Sequence, residues 1–298
     1  DYVATTSLAL NSGTIKDAGL NAATLTLPAI GAAGSLAVNK AIVIDTISPT
    51  VAITSTTTGV SDGSTTSDAT IALTFTTSAS TSDFIASDIT VDNGTLSDFT
   101  GSGTAYTATF TPTEQGACTI DVAADKFTDA ASNNNTASDQ FNWTFDSAGP
   151  TVTNVTSTKA DGTYSIGEVI AITITFNEVV NVTGAPQITL ETGSSDAVVD
   201  YTSGTGTSTL TFNYTVAAGH TSTDLDYVAT TSLDLNSGTI KDAGLNVATL
   251  TLPALDAAGS LAVNKAIVID TTPPTVAITS TTTVSYTHLR AHETQFDL

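Results

Sequence analysis

The chain is 298 residues long and sets 29 acidic against 7 basic side chains, a formal net charge of −22. That balance argues against a nucleic-acid grip, which needs clustered Lys and Arg on phosphates, and against anionic membrane surfaces, while leaving divalent cations open as partners. Hydrophobic residues make up 40%, enough to bury cores, so disorder is not the default reading.

In chain order, Ile71, Leu73 and Phe75 alternate with small polar residues, as do Tyr106, Ala108 and Phe110, and Phe141, Trp143 and Phe145 share one face. Further on, Ile170, Ile172, Ile174 and Phe176 alternate with Ala171, Thr173 and Thr175, and Leu210, Phe212, Tyr214 and Val216 alternate with Thr211, Asn213 and Thr215. Apolar groups on one face and polar groups on the other mark half-buried antiparallel strands. Thr fills about a fifth of the chain, and its branched side chain favours strands. Turn signals separate the runs: Asp92-Asn93-Gly94, Gly101-Ser102-Gly103, Asp161-Gly162 and Gly204-Thr205-Gly206. No window sustains a 3.6-residue period with caps. The expectation is an all-β chain of antiparallel sandwiches.

One passage occurs twice. Residues 226–283 repeat residues 1–58 at an offset of 225, differing only at Ala9/Asp234, Ala22/Val247, Ile30/Leu255, Gly31/Asp256, Ile47/Thr272 and Ser48/Pro273. Such a period exceeds any single solenoid unit and fits two domains of about 100 residues each. The repeating unit is therefore expected to be a pair of unlike domains. Asp1 is the twin of Asp226, which lies inside a domain, and the sequence holds no Met. Residues 1–46 are accordingly expected to be the C-terminal remnant of a truncated repeat, poorly packed or borrowing another edge.

Three junctions share one pattern: IDTISPTV at 44–51, FDSAGPTV at 145–152 and IDTTPPTV at 269–276. A strand ends in Asp, three residues follow, and Pro-Thr-Val opens the next strand. Proline fixes φ and removes a donor, which suits a short stiff link. The junctions predict whole domains at 47–147 and 148–271, the start of another at 272–283, and a semi-rigid rod.

The segment SASTSDFIASDITVDNGTLSDFTGSGTAYTATFTPTEQGACTIDVAADKFTDAASNNNTAS resembles bacterial Ig-like domains found in long arrays, through its DITVDNGTLSDF hairpin, YTATFTPT strand and FTDAASNNNTA loop. The segment from PTVTNVTSTKADGTYSIGEVIAITITFNEVV through LAVNKAIVIDTTPP is similar to a second Ig-like repeat type, the SWM kind. The resemblance implies tandem Ig-like sandwiches in a rod-like array, and spacer modules of large surface adhesins and biofilm proteins. One departure is Asn133-Asn134-Asn135, where such loops carry a Gly, which leaves that turn's geometry open.

The last fifteen residues, VSYTHLRAHETQFDL, hold the chain's only Arg and two of its three His, and diverge from the duplicate at Val284. They resemble translated sequencing adapter, so residues 284–298 are set outside the fold as foreign sequence.

Chemistry has little to work with. His220 is the single native histidine and reads as a solvated loop residue; a hydrolytic site would need a nucleophile, a base and an orienting acid. Cys118 is the sole cysteine, so no intrachain disulfide can form, and in ACTIDV it fits a buried strand position. No enzyme is expected and no cofactor is required. Calcium is the sharper possibility, since it takes six to eight oxygens. Ig-like topology would bring Asp161 and Glu168 near Asp270 at the junction, against the plainer reading of ordinary turn and strand-end residues. The loops at 241–246 and 128–133 could bind a ligand at a sandwich tip, although Asp and Asn there can simply build the turn.

The expected function is a structural spacer of an extracellular, bacterial cell-surface or secreted adhesin-like protein. Its partners would be neighbouring Ig-like repeats of the same chain, with host or matrix glycan or protein engaged by other domains. The alternative is a module that itself binds glycan or protein, for which an aromatic-lined concave patch is expected and Tyr201, Tyr214 and Tyr227 come first for inspection.

Overall fold

A computed structural model describes residues 1–279, so the expected tail at 284–298 lies outside the described residues. The chain divides into two compact units, Asp1–Ser147 and Ala148 onward. Each is described on its own.

Unit 1 holds seven strands: β1 (Val51–Ser55), β2 (Thr65–Thr66), β3 (Ile71–Thr81), β4 (Ile89–Asp92), β5 (Gly94–Pro112), β6 (Gly116–Val122) and β7 (Phe141–Phe145). They form two sheets, β1-β3-β5 and β2-β7-β6-β4. The period-2 pattern decides which side chains go between them. On β3, Ile71, Leu73 and Phe75 are buried while Ala72 and Thr76 face out. From the other sheet come Cys118, Ile120, Val122, Phe141 and Trp143, all in the same core cluster. Aromatic rings meet edge-on there: Phe110 lies 4.6 Å from Trp143 at 80°, and Phe84 lies 5.1 Å from Tyr106 at 82°, the arrangement that ring quadrupoles favour. Gly94 permits the β4–β5 corner, because a Cβ there would fall 2.2 Å from the Phe110 ring.

Residues 1–46 are counted with unit 1 but contain no named strand, only one helical turn, α1 (Leu36–Asn39), and the isolated bridge between Lys16 and Ala22. Their apolar side chains are largely exposed, Ile42, Val43 and Ile44 among them.

Unit 2 holds β8 (Val152–Ser157), β9 (Gly162–Tyr164), β10 (Val169–Thr183), β11 (Gln187–Leu190), β12 (Ala197–Ser203), β13 (Thr207–Thr215), β14 (Thr221–Ser222), β15 (Leu233–Asp234), β16 (Thr239–Lys241) and β17 (Ile267–Asp270), with one helical turn, α2 (Leu261–Asn264). Seven strands make one sheet, ordered β15-β11-β12-β13-β10-β16 with β8 also on β10, and β14-β17-β9 make the other. The long strand β10 is the spine. It pairs antiparallel with β13, β8 and β16, and shifts register between Thr175 and Val180, where a bulge lets one strand serve neighbours at both of its ends. Ile170, Ile172, Ile174 and Phe176 are buried as the alternation requires. Thr173, expected on the open face, is buried too, and its hydroxyl donates to the Thr156 carbonyl at 3.4 Å. A central strand flanked on both sides has less open face than an edge.

Candidate functional site

The three carboxylates expected at the junction stand apart, each engaged locally. Asp161 Oδ1 accepts the Ala266 N–H at 3.3 Å. Glu168 Oε2 accepts the Ser165 N–H at 3.0 Å, and its Oε1 lies 3.9 Å from Lys159 Nζ, while the same ammonium sits 4.9 Å over the Tyr164 ring. Asp270 Oδ1 accepts the Thr272 N–H at 2.9 Å, the turn that Asp45 makes with the Ile47 N–H at 3.0 Å. Their oxygens are not gathered within the 4.8 Å spacing of a shared ion site.

The tip loops are braced by their own Asp and Asn side chains, and Asn133 Nδ2 also donates to the Asp45 carbonyl at 3.1 Å. Asp129 Oδ1 accepts the N–H groups of Ala131 at 2.8 Å and Asn133 at 2.9 Å, and Asn133 Nδ2 returns a bond to Asp129 Oδ2 at 2.9 Å. Asp242 and Asn246 repeat the arrangement at 2.8 Å for both bonds. These side chains build the turn. The Asn133–Asn135 run divides its labour. Asn133 serves Asp129, Asn134 Nδ2 donates to Asp125 at 2.9 Å, and Asn135 is buried with both ends of its amide used. Ser132, at φ 68°, takes the left-handed position a glycine would fill.

The three tyrosines do not form the concave patch. Tyr214 and Tyr227 are buried, and the Tyr227 hydroxyl donates to the Pro253 carbonyl. Tyr201 is half-buried, packs edge-on to Phe212 and accepts the Thr205 N–H at 2.8 Å. Burial pushes the Tyr214 and Tyr227 hydroxyls up to about 12. His220 differs from the expectation of a free loop residue: its ring stacks on Tyr214, with Nδ1 2.8 Å from that hydroxyl. The nearby open groove, ≈ 520 Å³, is walled by Asp196, Asp200, Thr202 and Asn213 with these two rings.

What both units share is the pairing of the strands nearest their ends. In unit 1, β1 lies in one sheet, and the chain then crosses so that β2 runs parallel to the last strand, β7, in the other. Thr65 faces Thr144 and Thr66 faces Phe145. The Gly63 N–H donates to the Asn142 carbonyl at 2.7 Å, Thr144 N–H to Ser64 at 2.8 Å and Asp146 N–H to Thr66 at 2.9 Å. In unit 2, β8 lies on β10, and β9 then crosses to run parallel to β17, with Ile267, Val268 and Ile269 facing Gly162, Thr163 and Tyr164. An early strand that switches sheets to pair with the last one, in a two-sheet antiparallel sandwich, is an Ig-like arrangement.

Residues 45–145 match the bacterial Ig-like domain family. No curated protein matches the chain. In the matched segment the buried Cys118 sits on β6 opposite Trp143. Its thiol is pushed up chiefly by burial, and Asn93 Nδ2 lies 3.6 Å from the sulfur, the setting of a packing thiol rather than a nucleophile. The groove on the matched segment, ≈ 370 Å³, runs between Val51–Ile53 and Ala137–Phe141, with Asp62 beside it. Among the described residues, no helix is long and apolar enough to cross a membrane.

Proposed function

We propose that this chain is a load-bearing spacer from a bacterial cell-surface or secreted protein of the adhesin type, with no catalytic role. The observation that carries the reading is the parallel pairing of β2 with β7 and of β9 with β17. Tension enters a unit ahead of its first strands and leaves after its last. Parallel partners at those two positions are drawn in opposite directions along their own axes. Their hydrogen bonds are then loaded together, whereas an antiparallel hairpin pulled at its open end yields one bond at a time. The sheet crossing of β1 to β2 and of β8 to β9 puts that shared load on an edge strand paired with the last strand of each unit. The spacer needs no cofactor.

Single-molecule pulling tests this directly. Unit 1 pulled between the chain ends should resist several-fold more force than unit 1 pulled between Gln115 and Ser147, which opens β6 from β7 at the end where Gly116 faces Phe145. Equal forces in the two geometries would remove the mechanical reading. Specific hits on a glycan array would replace it with the adhesive one.

A further inference from the structure

The sequence holds one Asn-Gly pair, Asn93-Gly94, at the corner where β4 turns into β5. Asn93 takes φ 55°, a left-handed conformation that Asn tolerates better than most side chains. Its carboxamide clamps the corner to the turn between β5 and β6. Nδ2 donates to the carbonyls of Glu114 at 2.9 Å and Ala117 at 3.1 Å, and Oδ1 accepts the Glu114 N–H at 3.0 Å. The Asn93 backbone carbonyl accepts the Thr113 N–H at 3.1 Å. Beside it, a Cβ on residue 94 would fall 2.2 Å from the Phe110 ring and 2.7 Å from the Thr111 carbonyl oxygen. Packing therefore dictates glycine at 94, and hydrogen bonding dictates asparagine at 93.

Side by side, these two residues are the pair most prone to spontaneous deamidation. Glycine leaves its own amide nitrogen unshielded, so that nitrogen can attack Cγ of the preceding side chain. The Gly94 N–Cγ bond forms, the Cγ–Nδ2 bond breaks, and ammonia leaves carrying the Gly94 amide proton. Water then opens the resulting succinimide to aspartate or isoaspartate. In the folded corner this route is blocked. The carboxamide that would have to swing toward Gly94 N is pinned by three hydrogen bonds, and both residues are half-buried.

We propose that Asn93-Gly94 is a latent modification site, guarded by the fold of unit 1 and released when that unit opens, with water as the co-reactant. The product weakens its own guard. A carboxylate cannot donate to the Glu114 and Ala117 carbonyls and sets negative charge against them, while isoaspartate also lengthens the backbone at the corner. Unit 1 consequently ages with the time it spends open. The inference stands without the mechanical reading above, because denaturant or heat opens the corner as tension does.

Peptide mapping by mass on the full chain tests it. In guanidinium chloride and mildly alkaline buffer, the peptide spanning Asn93 should gain the mass difference between an amide and an acid. It should do so at least about tenfold faster than in the folded chain, where reaction waits on opening. Asn93→Gln should abolish the gain, since glutamine would have to close a larger ring. After return to native buffer, the fluorescence of Trp143, the sole tryptophan, should show a denaturation midpoint that falls with the time spent unfolded. Freshly made Asn93→Asp should show a lowered midpoint at once. Equal rates in the folded and unfolded chains would overturn the guarding. An unchanged midpoint in both the deamidated chain and Asn93→Asp would overturn the consequence for unit 1.

Discussion

Asn135 meets four backbone groups with one buried side chain. Its Oδ1 accepts from Lys126 N at 2.7 Å and Phe127 N at 3.0 Å, and its Nδ2 donates to the carbonyls of Ala123 at 2.9 Å and Thr136 at 2.8 Å. A buried group stripped of its partner costs about 1–3 kcal/mol, so Asn135→Ala should lower the stability of unit 1 by at least about 2 kcal/mol in urea titration. Asn135→Asp should not rescue it, because a carboxylate cannot donate to the two carbonyls. Three acids titrate, and one of them has the opposite consequence. The Thr81 hydroxyl, then the Thr128 N–H and hydroxyl, hold Asp83 below the usual carboxylate range, and the Asn133 amide does the same for Asp129. A depressed folded pKa stabilises above the unfolded value of about 3.9, and that contribution is lost as pH falls through the folded value. Burial instead raises Asp226, which costs unit 2 stability as pH rises from the unfolded value through the folded one. Thermal melts between pH 3 and 7 should therefore show Asp83→Asn flattening the acid loss of unit 1, and Asp226→Asn removing the neutral-pH cost in unit 2. Unchanged pH profiles in both variants would refute this assignment.

At the scale of elements, what could be read from the sequence was whatever repeats every second residue. The strands around Phe75, Phe110, Trp143, Ile174 and Phe212 form where alternation places them, because a half-buried strand writes its two faces directly into the chain. The β2 and β9 segments could not be read that way. They are two and three residues long, too short for a period, and their parallel partners lie far along the chain. The tip loops were half legible: an Asp four residues before an Asn signals a turn, but only the hydrogen bonds say that both side chains are fully engaged. The tyrosines misled because an aromatic residue in a strand is written alike whether its ring faces core or solvent. Ile174 lies between Leu210 and Val155 on the spine strand and is wholly buried. Ile174→Ala should cost unit 2 about 2–5 kcal/mol by calorimetry, while Trp143 fluorescence, which reports unit 1 alone, keeps its midpoint.

Across the whole molecule, the two passages that agree at all but six positions are kept apart by residues 59–225 of unlike sequence. Tandem chains fail characteristically by misassembly between neighbours alike enough to mispair. Synthesis runs at about 5–20 residues per second, so an offset of 225 residues places tens of seconds between one copy and the next. A β-sandwich folds in milliseconds to seconds. Unit 1 can therefore be finished before the second copy leaves the ribosome, and that delay lets near-identical sequence be reused along one nascent chain.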